Sequence, residues 1–362
     1  MKIALVSTPF LTVPPRSYGG TELVVYELAE GLRSRGHDVT LFATGDSETS
    51  VTLRALYPAA QWPPDTLTDL NHVSWAIGEV ARGDFDIVHA HSAVALAMTR
   101  VLVGPPLVYT LHHVRDETLS AFYRHFPDAH YIAISADQMR REIPLPHCRV
   151  IHHGLDPNRF EWTRRPAEYV CFVGRFAPVK GVNTAIDVAE AAGLPIRVAG
   201  EVHPVDEAFA EREVYPRLKR SHVTYLGCIG PSIKVPLLRD ARATLIPITW
   251  NEPFGLIMIE AMLSGCPVVA FPRGSVPELV EPGVTGFIVD SPEEMAALIR
   301  PGGPLDDFDR ERCRARAVER FSRERMVRDH ERLFEEIIGK RARPAIRITG
   351  RPRPATMRPA GA

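Results

Sequence analysis

Short apolar runs rich in β-branched residues alternate with helical stretches along most of the chain, and this alternation is what most constrains its fold. Strands buried in a parallel sheet read as such runs, because helices cover both faces of the sheet. Six runs precede the middle of the chain: KIALVS, DVTLFAT, FDIVHAH, PLVYTLH, HYIAIS and CRVIHHG. Six more follow: YVCFVGR, IRVAG, VTYLG, ATLIPI, PVVAF and GFIVD. The pattern predicts an α/β fold with two Rossmann-like, doubly wound domains that face each other across a cleft.

The stretch LDPNRFEWTRRPAE interrupts this alternation and is predicted to be a linker. It divides the chain into an N-terminal domain over residues 1–160 and a C-terminal domain over residues 161–320. Two domains also suit a length of 362 residues, since a single hydrophobic core stops growing at about 250–300 residues. The apolar spacing of FSRERMVRDHERLFEEII predicts a last helix within residues 321–339, which could pack back on the N-terminal domain.

The composition is that of an ordinary globular protein, with 45% apolar and 24% charged residues. The five cysteines form no CxxC pair and are odd in number, which argues against a disulfide framework and a zinc site. No apolar run is long enough to cross a bilayer, and Pro9 interrupts the first run too early for a signal peptide. We therefore expect a cytoplasmic protein.

Residues 340–362 carry seven basic residues, no acidic residue and four prolines, and this composition predicts disorder. The rest of the chain has 36 basic and 44 acidic residues, so the near-neutral total conceals a positively charged end. Such a tail could contact an anionic membrane surface weakly, it could contact nucleic acid, or it could be an unstructured end that aids solubility. No specific nucleic-acid partner is expected.

Two loops between a predicted strand and the following helix are suited to bind phosphate. In PPRSYGGTELVVYEL, Gly19 and Gly20 permit close backbone approach, and Thr21 is expected to cap the helix. In FVGRFAPVKGV, Arg175 and Lys180 follow a strand and could clamp a diphosphate between two cations. An ordinary Gly-Gly turn and two solvated loop cations are the alternatives. The chain lacks a G-x-G-x-x-G fingerprint, which argues against a dinucleotide cofactor.

The stretch NEPFGLIMIEAMLSGCP sets two carboxylates, Glu252 and Glu260, near the start of a predicted helix. Gly265 and Pro267 supply the stop signal of this helix. Both acids therefore lie near the end of a helix dipole that attracts anions. The alternative is one capping acid and one solvated helical glutamate.

Histidines cluster at predicted strand ends, which raises the question of a metal site. The pairs are His89 and His91, His112 and His113, and His152 and His153. No HExxH pattern supports a metal, and packing or loop roles are expected for most of these residues. Asp84 and Asp86 resemble a metal-binding acidic pair, but they precede their strand and so belong to the opposite end of the sheet from the cleft.

Several of these motifs occur together in one known family. Glu252 and Glu260 form an E-x7-E pair, and GRFAPVKG resembles a G-R-x-x-x-x-K-G loop. With the Gly-Gly start and ELVEPGVTGFIVD, they resemble the retaining glycosyltransferases of family four over about residues 1–338. The resemblance implies a GT-B fold and transfer of a hexosyl group from a nucleotide-diphosphate sugar, with UDP-sugar favoured. It also implies a hydroxyl acceptor on the N-terminal domain, retention of anomeric configuration, and no cofactor or essential metal.

The family's phosphate-binding roles fall on matching positions of this chain. By the resemblance, Arg175 and Lys180 would neutralise the donor diphosphate. Gly19 and Gly20 would approach the diphosphate from the N-terminal domain. Two cations in this place could supply the electrostatic stabilisation that Mg²⁺ gives to a leaving diphosphate.

The other roles implied by the resemblance concern the ribose and the sugar. Glu260 would hold the ribose hydroxyls, Glu252 the sugar near its anomeric carbon, and His112 the sugar from the N-terminal side. The sugar would also meet the backbone of three consecutive residues: Phe254, Gly255 and Leu256. Retention by two carboxyl groups about 5 Å apart, as in glycosidases, is then not available, because the second acid is assigned to ribose. The family implies attack on the same face, with the departing phosphate taking the acceptor's proton.

The chain departs from the family pattern near the cleft at two places. His153 stands where the family often has Asn, and Gly274-Ser275 stands where it often has Gly-Gly, so donor choice or closing geometry could differ. A nucleotide-sugar epimerase is an alternative with the same architecture, although the E-x7-E block argues against it. A non-catalytic sugar- or nucleotide-binding protein is another alternative, but it would be expected to lack part of this residue set.

Overall fold

The computed structural model describes residues 1–17 and 19–342, the last two by their backbone alone. Nearly all of the basic tail at residues 340–362 lies outside the described residues, so its disorder and its membrane contact stay predictions. Within the described residues, no helix combines the length and the apolar character needed to cross a membrane.

Two parallel sheets organise the described residues. The first contains β1 (Lys2–Val6), β2 (Asp38–Ala43), β3 (Thr52–Ala55), β4 (Ile87–Ala90), β5 (Leu107–Leu111), β6 (His130–Ala133) and β7 (Cys148–Val150). The second contains β8 (Val170–Val173), β9 (Ile196–Ala199), β10 (Val223–Tyr225), β11 (Ala243–Ile246), β12 (Val268–Ala270) and β13 (Gly286–Ile288). Their spatial orders are β3-β2-β1-β4-β5-β6-β7 and β10-β9-β8-β11-β12-β13. Both orders reverse beside the first strand, which is where doubly wound sheets bind ligands at their carboxyl ends.

Helices lie between these strands and after the last of them. In the first half they are α1 (Gly20–Ser34), α2 (Thr66–Arg82), α3 (Ala95–Met98), α4 (Glu117–Tyr123) and α5 (Ala136–Arg141). In the second half they are α6 (Val182–Ala191), α7 (Glu207–Phe209), α8 (Tyr215–Leu218), α9 (Pro231–Asp240), α10 (Leu256–Leu263), α11 (Val276–Leu279), α12 (Pro292–Ile299), α13 (Arg310–Phe321) and α14 (Arg323–Ala342). Short 3₁₀ turns occupy Pro157–Arg159, Pro178–Lys180 and Pro204–Asp206, and a π turn occupies Ala210–Val214.

Apolar layers cover both faces of each sheet, as the continuous apolar runs require. In β1, the buried Ile3 and Leu5 pack with α1 and α14, whereas the buried Ala4 and Val6 pack with α2. The prediction of two doubly wound α/β domains is confirmed. All twelve predicted strands occur in the described part of the chain, and β3 is an additional strand that the sequence reading missed. It lies at the edge of its sheet and is largely exposed, so it shows no apolar run.

The chain passes between the two sheets at two adjacent places. Leu155 donates its N–H to the carbonyl oxygen of Phe321 over 2.9 Å, and Arg323 donates its N–H to the carbonyl oxygen of Leu155 over 2.8 Å. A Cβ placed on Gly154 would lie 2.3 Å from the carbonyl oxygen of Ser322, so only glycine permits this approach. The helix predicted from residue 321 begins at Arg323 instead, because the second passage separates it from α13.

Helix α14 packs against α1 and is therefore part of the domain that contains the first sheet. The Nε atom of Arg323 lies 2.5 Å from Oε2 of Glu27, whose side chain is 1% exposed. Farther along, Glu331 accepts from Nε of Arg35 at 2.6 Å and lies 2.7 Å from Nε2 of His37. The apolar side chains of α14 complete the core under β1 and β2.

Candidate active site

All ten residues predicted to bind the donor line one cleft between the two sheets. They are Gly19, Gly20, His112, Arg175, Lys180, Glu252, Phe254, Gly255, Leu256 and Glu260. The cleft opens at the carboxyl ends of β5, β8 and β11, where the topology predicts a ligand. The structure therefore brings the whole predicted set together.

Lys180 lies in the 3₁₀ turn that precedes α6, as the strand–loop–helix pattern predicts. Its ammonium group forms an ion pair with the carboxylate of Glu252. The same ammonium lies 4.5 Å from the centre of the Trp250 ring, a cation–π distance. Trp250 also donates from Nε1 to Oε2 of Glu252 over 3.1 Å. One lysine, one tryptophan and one carboxylate thus form a compact group at the cleft.

Arg175 follows β8, and its Nε lies 3.6 Å from Oδ2 of Asp206. That carboxylate oxygen is buried and has no hydrogen-bond partner within the described part of the chain. The side chain of Arg175 is 30% exposed and lines the cleft. The sequence reading did not find Asp206, because 31 positions separate it from Arg175 and nothing local marks their contact.

The backbone of Glu252 is held by the Gly274-Ser275 pair, one of the departures from the family pattern. A Cβ placed on Gly274 would lie 2.3 Å from both the nitrogen and the oxygen of Glu252, and Gly274 has a φ of 57°. Ser275 donates its N–H to the carbonyl oxygen of Glu252 over 2.9 Å. The Oγ of Ser275 donates to the carbonyl oxygen of Phe254 over 2.8 Å. Serine in place of the second glycine therefore adds a hydrogen bond to the loop that carries both groups.

Helix α10 begins at Leu256 and has no side-chain cap, since its N-cap residue is Gly255. The first amide groups of a helix lack intrahelical acceptors, so this end is suited to an anion. Neither Glu252 nor Glu260 caps the helix, and the capping alternative raised for these acids is wrong.

Glu260 is the fifth residue of α10 and is 3% exposed. Its Oε1 accepts from Nζ of Lys234, 2.7 Å away in the first half of α9. Lys234 lines the cleft and was missed in the sequence. A signal existed: Lys234 follows the strand VTYLG and the helix start marked by Gly230 and Pro231, so it is a cation that follows a strand, as Lys180 is.

The amino end of α1 meets that of α10 across the cleft. The expected cap by Thr21 is wrong: α1 begins at Gly20, its N-cap residue is Gly19, and no side chain caps it. Thr21 is the second residue of the helix, whereas a capping side chain belongs to the N-cap residue that precedes the first helical residue. A Cβ placed on Gly20 would lie 3.4 Å from Cδ1 of Leu256. Two uncapped helix ends thus face one region of the cleft.

His112 follows β5 and approaches the cleft from the first domain. Its Nε2 lies 2.8 Å from Nδ1 of His91. Its ring stacks on that of His153 with centroids 5.6 Å apart, and the rings of His153 and Phe254 form a T-shaped pair with centroids 4.9 Å apart. Burial lowers the pKa of His112 to about 3, so its imidazole is neutral near pH 7.

Glu22 is a third carboxylate on the cleft, and the sequence reading missed it. It lies in the first turn of α1 and is 5% exposed, with Oε1 accepting from Oγ1 of Thr8 over 2.6 Å. Burial raises the pKa of Glu22. Its place two residues after the Gly-Gly pair was the available signal.

The acidic pair and the histidines form no metal centre in residues 1–17 and 19–342, where no group of three or more suitable ligands occurs. Asp84 accepts from Nζ of Lys2 at 2.9 Å, and Asp86 accepts from the N–H of Lys2 at 2.7 Å. Both aspartates therefore lie at the amino ends of β1 and β4, away from the cleft.

Two family profiles match consecutive parts of the chain. The profile described as Glycosyltransferase Family 4 matches residues 18–159, and that of the Glycosyl transferases group 1 matches residues 157–301. This chain belongs to the family-four glycosyltransferases. It is an enzyme that transfers a glycosyl group from a nucleotide sugar.

Full-length relatives agree with this assignment. The phosphatidyl-myo-inositol mannosyltransferase of Mycobacterium tuberculosis (strain ATCC 25618 / H37Rv) is 26% identical over 388 residues, covering 95% of this glycosyltransferase and 99% of the relative. Sucrose-phosphate synthase from Thermosynechococcus elongatus has a TM-score of 0.79 at 20% identity, covering 94% and 100% of the two chains. Anabaena HepE in complex with UDP and glucose has a TM-score of 0.72 at 21% identity, covering 93% and 100%. These structural likenesses show the GT-B fold.

Proposed function

We propose that this glycosyltransferase moves a hexosyl group from a UDP-sugar to a hydroxyl acceptor with retention of anomeric configuration. The observation that carries the proposal is the single cleft in which cations, carboxylates and a histidine from both domains converge. The acceptor binds on the N-terminal side of this cleft, and its identity is left open. HepE, which shares the fold, has been solved with UDP-glucose, and this favours UDP over other nucleotides.

The diphosphate of the donor binds between the amino ends of α1 and α10. Arg175 and Lys180 supply the positive charge on the C-terminal side, and the backbone at Gly19 and Gly20 approaches from the other domain. When the donor binds, Lys180 turns from Glu252 to a phosphate oxygen. Stabilisation of the leaving diphosphate by these groups needs no metal ion.

Glu260 holds the ribose hydroxyls with the carboxylate oxygen that Lys234 does not occupy. Glu252, released by Lys180, accepts hydrogen bonds from the sugar. The backbone at Phe254, Gly255 and Leu256 completes the sugar pocket, and His112 meets the sugar from the opposite side.

Retention follows from attack of the acceptor on the face that the diphosphate leaves, with the departing phosphate taking the acceptor's proton. The nearly buried Glu260 is engaged by Lys234 and by ribose, which supports a mechanism without a second carboxyl nucleophile.

All five cysteines of the chain lie in the described residues and are free thiols, which supports the cytoplasmic location expected from the sequence.

A panel of UDP, GDP and ADP, followed by turnover of the matching sugars, tests this proposal. A nucleotide at about 100 times its dissociation constant should stabilise the enzyme by about 2.7 kcal/mol, and UDP should give the largest thermal shift. Proton NMR of the product should show the donor's anomeric configuration. Inverted product would contradict retention, epimerised donor without transfer would favour an epimerase, and binding without any turnover would favour a binding protein.

A further inference from the structure

His91 is a buried residue that the proposed reaction leaves without a role. It follows β4, next to β5 in the sheet, so the carboxyl ends of these two strands bring it against His112. Its side chain is largely inside the protein, with a whole-residue exposure of 5%. Its Nδ1 lies 2.8 Å from Nε2 of His112, a hydrogen-bond distance. One of these two nitrogens must donate and the other must accept.

The other nitrogen of His91 decides the direction of this bond. Nε2 of His91 is buried and has no hydrogen-bond partner among the described residues. A buried N–H without an acceptor is rarer and more costly than an acceptor without a donor. The proton of His91 therefore belongs on Nδ1, from which it is donated to Nε2 of His112.

The same logic then fixes the proton of His112. Burial disfavours the charged imidazolium, so His112 carries a single proton. Because its Nε2 accepts from His91, that proton resides on Nδ1. Nε2 is the nitrogen that contacts His91, so Nδ1 is the one left to a ligand in the cleft that His112 lines.

We propose that His91 is a positioning residue that fixes the proton of His112 on Nδ1 and so makes His112 a hydrogen-bond donor toward an oxygen of the donor sugar. The sugar contact rests on the function proposed above, whereas the proton placement does not. His112 then orients the sugar and does not act as a base. Asparagine at position 91 could still donate to His112, but aspartate could only accept from it.

The test compares His91→Asn with His91→Asp in enzyme labelled with ¹⁵N-histidine and free of substrate. Two-bond ¹H–¹⁵N correlation spectra distinguish protonated from unprotonated ring nitrogens, and His112→Gln assigns the signals of His112. Nε2 of His112 should be unprotonated in the wild type and in His91→Asn, and protonated in His91→Asp. At alkaline pH, turnover of UDP-glucose, or of whichever UDP-sugar the panel selects, should fall roughly 3- to 10-fold in His91→Asp relative to His91→Asn, the loss of one neutral hydrogen bond. Affinity for UDP alone, which lacks the sugar, should be unchanged in both variants.

A proton on Nε2 of His112 in the wild type would overturn the inference, and this measurement does not depend on the folding of any variant. Equal losses of UDP affinity and turnover in both variants would also overturn it, because they would indicate a structural role for His91. The expected proton placement in an enzyme that turns over no nucleotide sugar would support the role of His91 in placing the proton, and it would contradict the proposed function and the sugar contact that rests on it.

Discussion

The Nζ atom of Lys234 lies 2.7 Å from Oε1 of Glu260, in a part of the cleft where the lysine side chain is 18% and the glutamate side chain 4% exposed. Glu252 is paired in the same way with Lys180. Each acid of the E-x7-E motif thus has its own lysine, contributed by a different βα segment. Two carboxylates with separate partners can serve two parts of one ligand.

The two acids should separate nucleotide binding from sugar transfer. Glu260→Gln should weaken UDP binding about 10- to 150-fold, because it removes the charge-assisted hydrogen bond proposed between Glu260 and the ribose hydroxyls, which is worth about 1.5–3 kcal/mol. Glu252→Gln should bind UDP almost normally but transfer the sugar slowly. Calorimetric titration with UDP, together with turnover, distinguishes these effects. The exposed Glu211→Gln is the control, and equal small effects in both acid variants would contradict the assignment.

Lys180 should affect the rate more than donor affinity. The charge on the leaving diphosphate grows in the transition state, so Lys180→Ala should lower kcat on the order of 100-fold or more. Steady-state kinetics at saturating donor measure this, with the exposed Lys219→Ala as the matched control. Near wild-type kcat in Lys180→Ala would exclude it from the diphosphate site.

Transfer should not require a divalent metal, because Arg175, Lys180 and two uncapped helix ends converge on the part of the cleft where the diphosphate is proposed to bind. We expect turnover in EDTA to match turnover in added Mg²⁺ or Mn²⁺. Activity that disappears on chelation and returns with either cation would show that the protein cations are insufficient.

The buried histidine cluster should make stability depend on pH. Burial lowers the pKa of His330 from an ordinary 6.5 to about 4, and its ring lies 5.3 Å from that of His89. Between these two pKa values, His330 is protonated in the unfolded chain but not in the folded protein. The folded protein therefore loses stability as the pH falls from about 6.5 toward 4. As the pH falls over this range, the free energy of unfolding of His330→Phe should decrease by about 3 kcal/mol less than that of the wild type. Urea unfolding at a series of pH values measures the difference, and parallel curves for the two proteins would contradict it.

The sequence contained most of the fold because each strand buried on both faces needs an apolar run, and such runs are visible locally. β3 was not predicted, because an edge strand can be polar and needs no apolar run. Thr52 and Arg54 are compatible with water, and only pairing with β2 marks the segment as a strand. The site residues were found where the chain carries a charge in a βα loop. The pairings between side chains were not found, because contacts such as that between Lys180 and Glu252 span 72 positions and depend on how the loops fold.

The packing of α14 against α1 also affects the order in which the domains fold during synthesis on the ribosome. The first sheet is encoded at the start of the chain, but Phe334 and its apolar neighbours near the other end supply part of its core. Domains usually fold in the order in which they are synthesised. In this chain the domain that is translated first is the last to be completed, because an apolar face of α1 stays exposed until Arg323–Ala342 has been made.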